Sequence, residues 1–73
     1  MDRWSQIELL VQVAELGSLS RAAEKLEISN AAASRTLVAL EERLGVRLVE
    51  RTTRRLWLTE AGRAFYRRCT GVI

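Results

Sequence analysis

GSLSRAAEKLEISNAAASRTLVALEERL, residues 17–44, reads as two helices joined by a tight corner. Gly17 stops whatever helix precedes it and Ser18 offers an N-cap. Ala22, Ala23 and Leu26 then give a short helix one apolar face. Ile28 and Ser29 turn the chain, and the Ser29 hydroxyl is placed to cap a second, longer helix. On that helix Ala33, Leu37, Leu40 and Leu44 recur at helical spacing and form one stripe for a core.

The opposite side of the second helix has a different character. At about 100° per residue, Ala31, Ser34, Arg35 and Val38 fall away from the core stripe, with Asn30 at the N-terminal flank. Small side chains let a helix end approach a flat, crowded partner closely. Asn, Ser and Arg supply hydrogen bonds to base edges and phosphates, and Ala31 and Val38 offer apolar contact to a thymine methyl. Glu41 and Glu42 lie in the other half and would repel a polyanion, so only the N-terminal half suits a groove of a nucleic-acid duplex. On a generic helix such a face is more often merely solvated. The downstream residues reverse those odds.

After Leu44, Gly45 ends the helix and the apolar period changes. Arg47-Leu48-Val49-Glu50 and Arg55-Leu56-Trp57-Leu58 flank Arg51-Thr52-Thr53-Arg54, which suits a two-stranded hairpin with a loop of four residues or more. Two strands after a helix-turn-helix make a wing. Its tip carries Arg51, Thr53, Arg54 and Arg55, suited to phosphates or a minor groove. Trp57 reads as a lid on the core, since a single strand aromatic is usually packed.

Charge is distributed unevenly along the chain. Through Glu42 there are four basic and seven acidic side chains; from Arg43 onward there are eight arginines against Glu50 and Glu60. The net +3 therefore understates a basic second half that fits a phosphate-binding surface.

The N-terminal segment predicts a helix capped by Asp2 and ending before Gly17. Trp4, Ile7, Val11 and Ala14 form one apolar stripe, expected to join the core. Leu9, Val13 and Leu16 form a second, which asks for a further neighbour: the C-terminal helix, a partner subunit or both. A helix wedged centrally in its own small domain satisfies the pattern equally well. At the other end Thr59 caps a last helix, with Glu60 in its first turn. Ala61, Phe65, Cys69 and Val72 form a stripe that is still running where the chain stops, so further C-terminal sequence and a dimer contact along it are expected. Gly71 is expected to weaken that helix.

Composition excludes several classes of function. There is no histidine, no metal-ligand cluster and no glycine-rich phosphate loop, and Cys69 lacks a base beside it, so neither enzyme activity nor a metal or cofactor is expected in this chain. A single cysteine rules out an internal disulfide, and neither a spanning segment nor a leader is legible, which points to a soluble, cytoplasmic protein. A protein-interaction module remains an alternative, and a membrane surface a weak one, because the last helix spreads its arginines around its axis.

Taken together, GSLSRAAEKLEIS, AAASRTLVALEERLGVRLVERT and RRLWLTEAG resemble the N-terminal domain of LysR-type transcriptional regulators, over essentially the whole chain. The resemblance implies a mainly α fold, a winged helix-turn-helix with a three-helix core, a two-stranded wing and the start of a C-terminal linker helix. Residues 1–58 would be the DNA-binding domain and 59–73 the start of the dimerisation helix. It implies a homodimer, or a higher oligomer in a full-length protein, on an interrupted inverted repeat of double-stranded DNA. A small co-inducer would bind a C-terminal domain absent from this sequence. Carried over by position, the recognition-helix contacts fall on Asn30, Ala31, Ser34 and Arg35 and the wing contacts on Thr53 and Arg54, while Arg51 matches the arginine that ends the first wing strand, as much a structural as a phosphate-binding position. Ser29 and Arg55 join the expected DNA contacts from the residue pattern itself. The second stripe of the first helix and the stripe of the last helix place the expected dimer contacts on Leu9, Val13, Leu16, Ala61, Phe65, Cys69 and Val72. Two positions depart from the family pattern: Asn30-Ala31 replaces Gln followed by Pro or Ser, and Val49 replaces a common Phe.

Overall fold

The computed structural model describes residues 3–52 and 55–71. Asp2, Thr53, Arg54 and Val72, each given a role by the sequence, lie outside them. The described residues form α1 (Arg3–Leu16), α2 (Leu19–Lys25), α3 (Asn30–Leu44), β1 (Val49–Arg51), β2 (Leu56–Leu58) and α4 (Glu60–Thr70). α1, α2 and α3 pack on one another, the antiparallel β1–β2 pair follows as a wing, and α4 returns to lie against α1. This is the winged helix-turn-helix expected.

The helix starts follow from side-chain caps. Ser18 Oγ accepts from the Arg21 N–H at 3.1 Å, Ser29 Oγ from Ala32 at 3.0 Å, and Thr59 Oγ1 from Gly62 at 2.9 Å. Each satisfies one of the amides that a helix start leaves unpaired. Gly71, expected to weaken α4, instead closes it: its N–H donates to the Arg67 carbonyl. The corner between α2 and α3 is made by Glu27, which takes a left-handed φ of 59° without being glycine.

The core is centred on Leu9, Leu10, Val13, Ala22, Ala23, Ala33, Leu37, Leu40, Leu48 and Val49. The stripe predicted on α3 is the buried one, although Leu44 is only half-buried. On α1 the phase is corrected. Trp4 is 69% exposed and Ile7, Val11 and Ala14 are half-buried, whereas Leu9 and Val13 are fully buried and Leu16 packs against them. Leu9 and Val13 therefore serve this domain's own core and offer no surface to a partner. Apolar residues lie nearly all round α1 because α2, α3 and α4 all pack on it.

The wing strands are shorter than their sequence pattern: β1 starts two residues later and runs to Arg51, and β2 starts one residue later, at Leu56. Val49 pairs with Leu58, Glu50 with Trp57 and Arg51 with Leu56. Val49, smaller than the family's usual residue, is nonetheless buried. Trp57 is not a lid on the core: paired with Glu50 on the outer face, it is 41% exposed.

Residues 47–49, which lead into the wing, are clasped from two sides. Glu41 Oε2 on α3 accepts from the Leu48 N–H at 2.8 Å and the Val49 N–H at 3.2 Å. From the α4 side, Thr59 Oγ1 donates to the Arg47 carbonyl at 2.6 Å and the Thr59 N–H donates to the Leu48 carbonyl at 3.0 Å. The start of β1 thus takes its position from α3 and from the cap of α4 at once.

Candidate nucleic-acid interface

The N-terminal half of α3 stands clear of the core. Ser29, Asn30, Ala31 and Arg35 are exposed and Ser34 is half-buried. The Ser29 hydroxyl is occupied by its capping bond, so its contribution is to hold the helix start and leave the next amides pointing outward. Arg35 presents a planar five-donor guanidinium, suited to two acceptors on one guanine edge.

The wing reaches back to this helix. Arg51, on the inner face of β1, points Nη2 at Ser34 Oγ across 3.4 Å, a long hydrogen bond that brings helix and wing side by side. Between the C-terminal half of α3 and the wing runs a cleft of about 570 Å³, bordered by Val38, Val46, Val49 and Arg51 and also by Glu41, Glu42 and Arg47. Val38 is 45% exposed at its edge, placed for apolar contact beyond the polar residues of the helix.

The loop joining the strands is closed by two bonds. The Thr52 N–H donates to the Arg55 carbonyl at 2.8 Å, and the Arg55 N–H donates to Thr52 Oγ1 at 3.1 Å. Arg55 lays its guanidinium over the Trp57 ring, 5.6 Å from the centroid.

Not all the basic residues of the second half join this surface. Arg47 Nη2 donates to the Glu50 carboxylate at 3.0 Å and to the Val49 carbonyl at 3.2 Å, and Arg47 Nε lies 3.8 Å from Glu41. Arg43 Nε donates to Gln6 Oε1 at 3.1 Å, and Arg63 Nη1 to the Leu58 carbonyl at 3.1 Å. These three brace the fold. Arg51 and Arg55 are the described arginines of the wing tip.

Two participants were misread from sequence. Glu41 looked like a repulsive charge on the helix face, yet it is half-buried and holds the wing. Its role depends on amides seven and eight residues downstream, which no local pattern reveals. Trp57 looked like core, although its spacing of two from Arg55 puts both on one face of a strand, a signal that pairs them.

The proposed dimer residues on α4 fall in a mixed position. Ala61 and Phe65 are half-buried and pack against the domain's own core, and Cys69 is half-buried further along. Burial raises the Cys69 thiol pKa, opposed in part by Arg68, so it stays a neutral thiol at pH 7. Tyr66 on the same helix donates to the Glu15 carboxylate at 3.1 Å, tying α4 to α1. That hydrogen bond raises the phenol pKa, helped by partial desolvation and by the carboxylate's charge, so the tie persists through neutral pH.

No group of histidine, cysteine, aspartate or glutamate among the described residues is arranged to hold a metal. No helix among them is long and apolar enough to cross a membrane.

Comparison with known proteins agrees with this geometry. The chain is 50% identical over 68 residues to the HTH-type transcriptional regulator CrgA of Neisseria meningitidis serogroup C (strain 8013), covering 93% of this chain and 23% of that protein. It is 41% identical over 69 residues to the HTH-type transcriptional activator AaeR of Escherichia coli (strain K12), covering 94% and 22%. The chain spans about a quarter of the length of the curated relatives it matches. Among solved structures, a CbnR_DBD-DNA complex superposes with a TM-score of 0.90 at 37% identity, over 97% of this chain and 82% of that one. A BenM_DBD/catB site 1 DNA complex gives 0.90 at 34% identity, over 97% and 79%. The model of the bacterial regulatory helix-turn-helix proteins of the lysR family matches residues 4–63, and with the capped α2–α3 corner and its wing in place, the chain belongs to that family.

Proposed function

We propose that this chain is the DNA-binding part of a transcriptional regulator, which places α3 in the major groove of double-stranded DNA and its wing on phosphates or the adjacent minor groove. The observation that carries this reading is the juxtaposition of the small, polar N-terminal half of α3 with an arginine-bearing wing, held together through Arg51 and Ser34. A helix end beside a cationic ribbon suits a groove and its flanking backbone.

In this reading Asn30, Ser34 and Arg35 read base edges, while Ala31 and Val38 meet thymine methyls. Arg51, Thr53, Arg54 and Arg55 hold phosphates, which sets register and supplies most of the salt-dependent affinity. Residues 59–73 contribute the segment that pairs two copies, through the outer surfaces of Ala61, Phe65 and Cys69 on α4 and through Val72. The dimer then spans an interrupted inverted repeat. The longer protein acts in the cytoplasm, and a small co-inducer acts through its C-terminal domain; the comparison with relatives about four times as long supports such a domain.

The test is selection of bound sequences from a random duplex pool, followed by anisotropy titration at several salt concentrations. An inverted repeat should emerge, with log K falling linearly against log salt by about 0.9 for each phosphate engaged. Arg35→Ala should cost about 1–3 kcal/mol on the selected duplex and relax preference at one position. Arg54→Ala should weaken selected and scrambled duplexes by a similar factor and shallow the salt slope by roughly one phosphate. Equal loss on both duplexes for Arg35→Ala would remove it from the base readers.

A further inference from the structure

We propose that Trp57 is a positioning residue for phosphate binding: its indole ring holds the Arg55 guanidinium in the orientation in which the wing presents it to DNA. The proposal rests on the reading of Arg55 as a phosphate contact.

Three observations carry it. Trp57 contributes little to the core, since its neighbours Leu56 and Leu58 pack inward while it faces out opposite Glu50, 41% exposed. An exposed indole on a short wing strand is a costly residue to leave in water unless something covers it. What lies over it is the Arg55 guanidinium, 5.6 Å from the ring centroid. Finally, the Arg55 backbone is held at both its N–H and its carbonyl by Thr52, so ring and turn fix the two ends of one side chain.

The chemistry of stacking suits the task. A guanidinium meets a ring with its face, whereas its five N–H donors lie in its plane. Held over the ring by its cationic centre, the arginine keeps N–H donors free for phosphate oxygens. It also surrenders less rotamer freedom on binding than an arginine waving in solvent. Glu50, the cross-strand partner of Trp57, already accepts from Arg47 at 3.0 Å.

The pair is tested with Trp57→Ala, Trp57→Phe, Arg55→Ala and the double variant of the first and third, each titrated against the selected duplex and a scrambled one. Trp57→Ala should weaken both duplexes by the same factor, about two- to fivefold, with the selected sequence unchanged. Trp57→Phe should restore most of the loss, and Trp57→Ala should have no further effect once Arg55 is alanine. In a Trp4→Phe background, where Trp57 is the sole indole, Arg55→Ala should also shift its emission without DNA.

Loss of affinity from Trp57→Ala that is undiminished in the Arg55→Ala background would overturn the proposal, since the ring would then act on DNA or on the fold directly. Unchanged affinity in Trp57→Ala beside a clear loss in Arg55→Ala would overturn it too. An Arg55→Ala variant that binds as tightly as the parent would remove Arg55 from the phosphate contacts, and the proposal with it, while leaving the duplex-binding reading intact. That broader reading would fail only if the parent chain bound no duplex.

Discussion

Gly62→Ala is expected to lower the stability of this domain by about 3 kcal/mol or more, out of a total on the order of 5–10 kcal/mol for a chain of this size. Gly62 is buried in the first turns of α4, where its backbone lies against the chain entering the wing. A Cβ there would stand 2.0 Å from the Leu48 carbonyl oxygen and 2.9 Å from its carbon. Both are backbone atoms, and the same carbonyl accepts the Thr59 N–H at 3.0 Å while the Gly62 N–H donates to Thr59 Oγ1 at 2.9 Å, so moving Leu48 strains the first bond and moving Gly62 strains the cap. Helix propensity argues the other way, since alanine is favoured over glycine by about 1 kcal/mol inside a helix, but the clash outweighs it. Gly45→Ala is the control. Gly45 has a left-handed φ of 73° with nothing within 4 Å of the added Cβ, so only the conformational penalty of about 1–2 kcal/mol applies. Urea unfolding followed by circular dichroism measures both; a Gly62→Ala midpoint at or above that of Gly45→Ala would refute the close packing of α4 on the wing.

The same contact shows where the sequence could and could not be read. α3 was legible because its apolar residues occupy one face, so Ala33, Leu37 and Leu40 had only one way to point. The caps Ser18, Ser29 and Thr59 were legible because they act on amides three residues away. α1 was not, because two apolar stripes and a polar strip leave its phase undetermined until α2, α3 and α4 are placed around it. Trp57 required the strand register, and Glu41 required the fold. Within the candidate interface, the exposed half of α3 could be identified from period alone, whereas the Arg51 approach to Ser34 joins residues 17 apart and had no local signature.

Glu41→Ala is expected to weaken DNA binding although it removes a negative charge, and Glu42→Ala is expected to strengthen it. Both changes make the chain more positive by one charge, and a long-range field treats them nearly alike. Glu42 is exposed at the end of α3, so its removal relieves repulsion from phosphates and should tighten binding roughly two- to threefold at low salt, fading as salt screens it. Glu41 does something else. Its Oε2 accepts from the Leu48 and Val49 amides and lies 3.8 Å from Arg47 Nε, and it is the side chain through which α3 grips the start of β1. With alanine there, two partly buried N–H groups lose a charged acceptor, at a cost of about 2–4 kcal/mol in stability. Arg47 also loses one of its tethers. The start of β1 then keeps its Thr59 bonds and the burial of Leu48 and Val49, but its polar ties to α3 are reduced to the longer Arg51–Ser34 bond, so the wing arginines sit less well in register with the recognition helix. Affinity should fall about tenfold at a temperature where both variants are folded, because a misplaced phosphate contact sacrifices register as well as charge. Glu41→Gln separates the two effects: it deletes the charge but keeps an oxygen that accepts from the amides, so it should lie between Glu41→Ala and the parent in stability and nearer the parent in affinity. Anisotropy titration of all three beside Glu42→Ala, at low and high salt, decides the matter. If Glu41→Ala and Glu42→Ala tighten binding equally at low salt and converge at high salt, charge governs and the clasp does not position the wing; a Glu41→Ala loss that persists at high salt while the Glu42→Ala gain fades places the orientation of the wing under the control of a single carboxylate on the recognition helix.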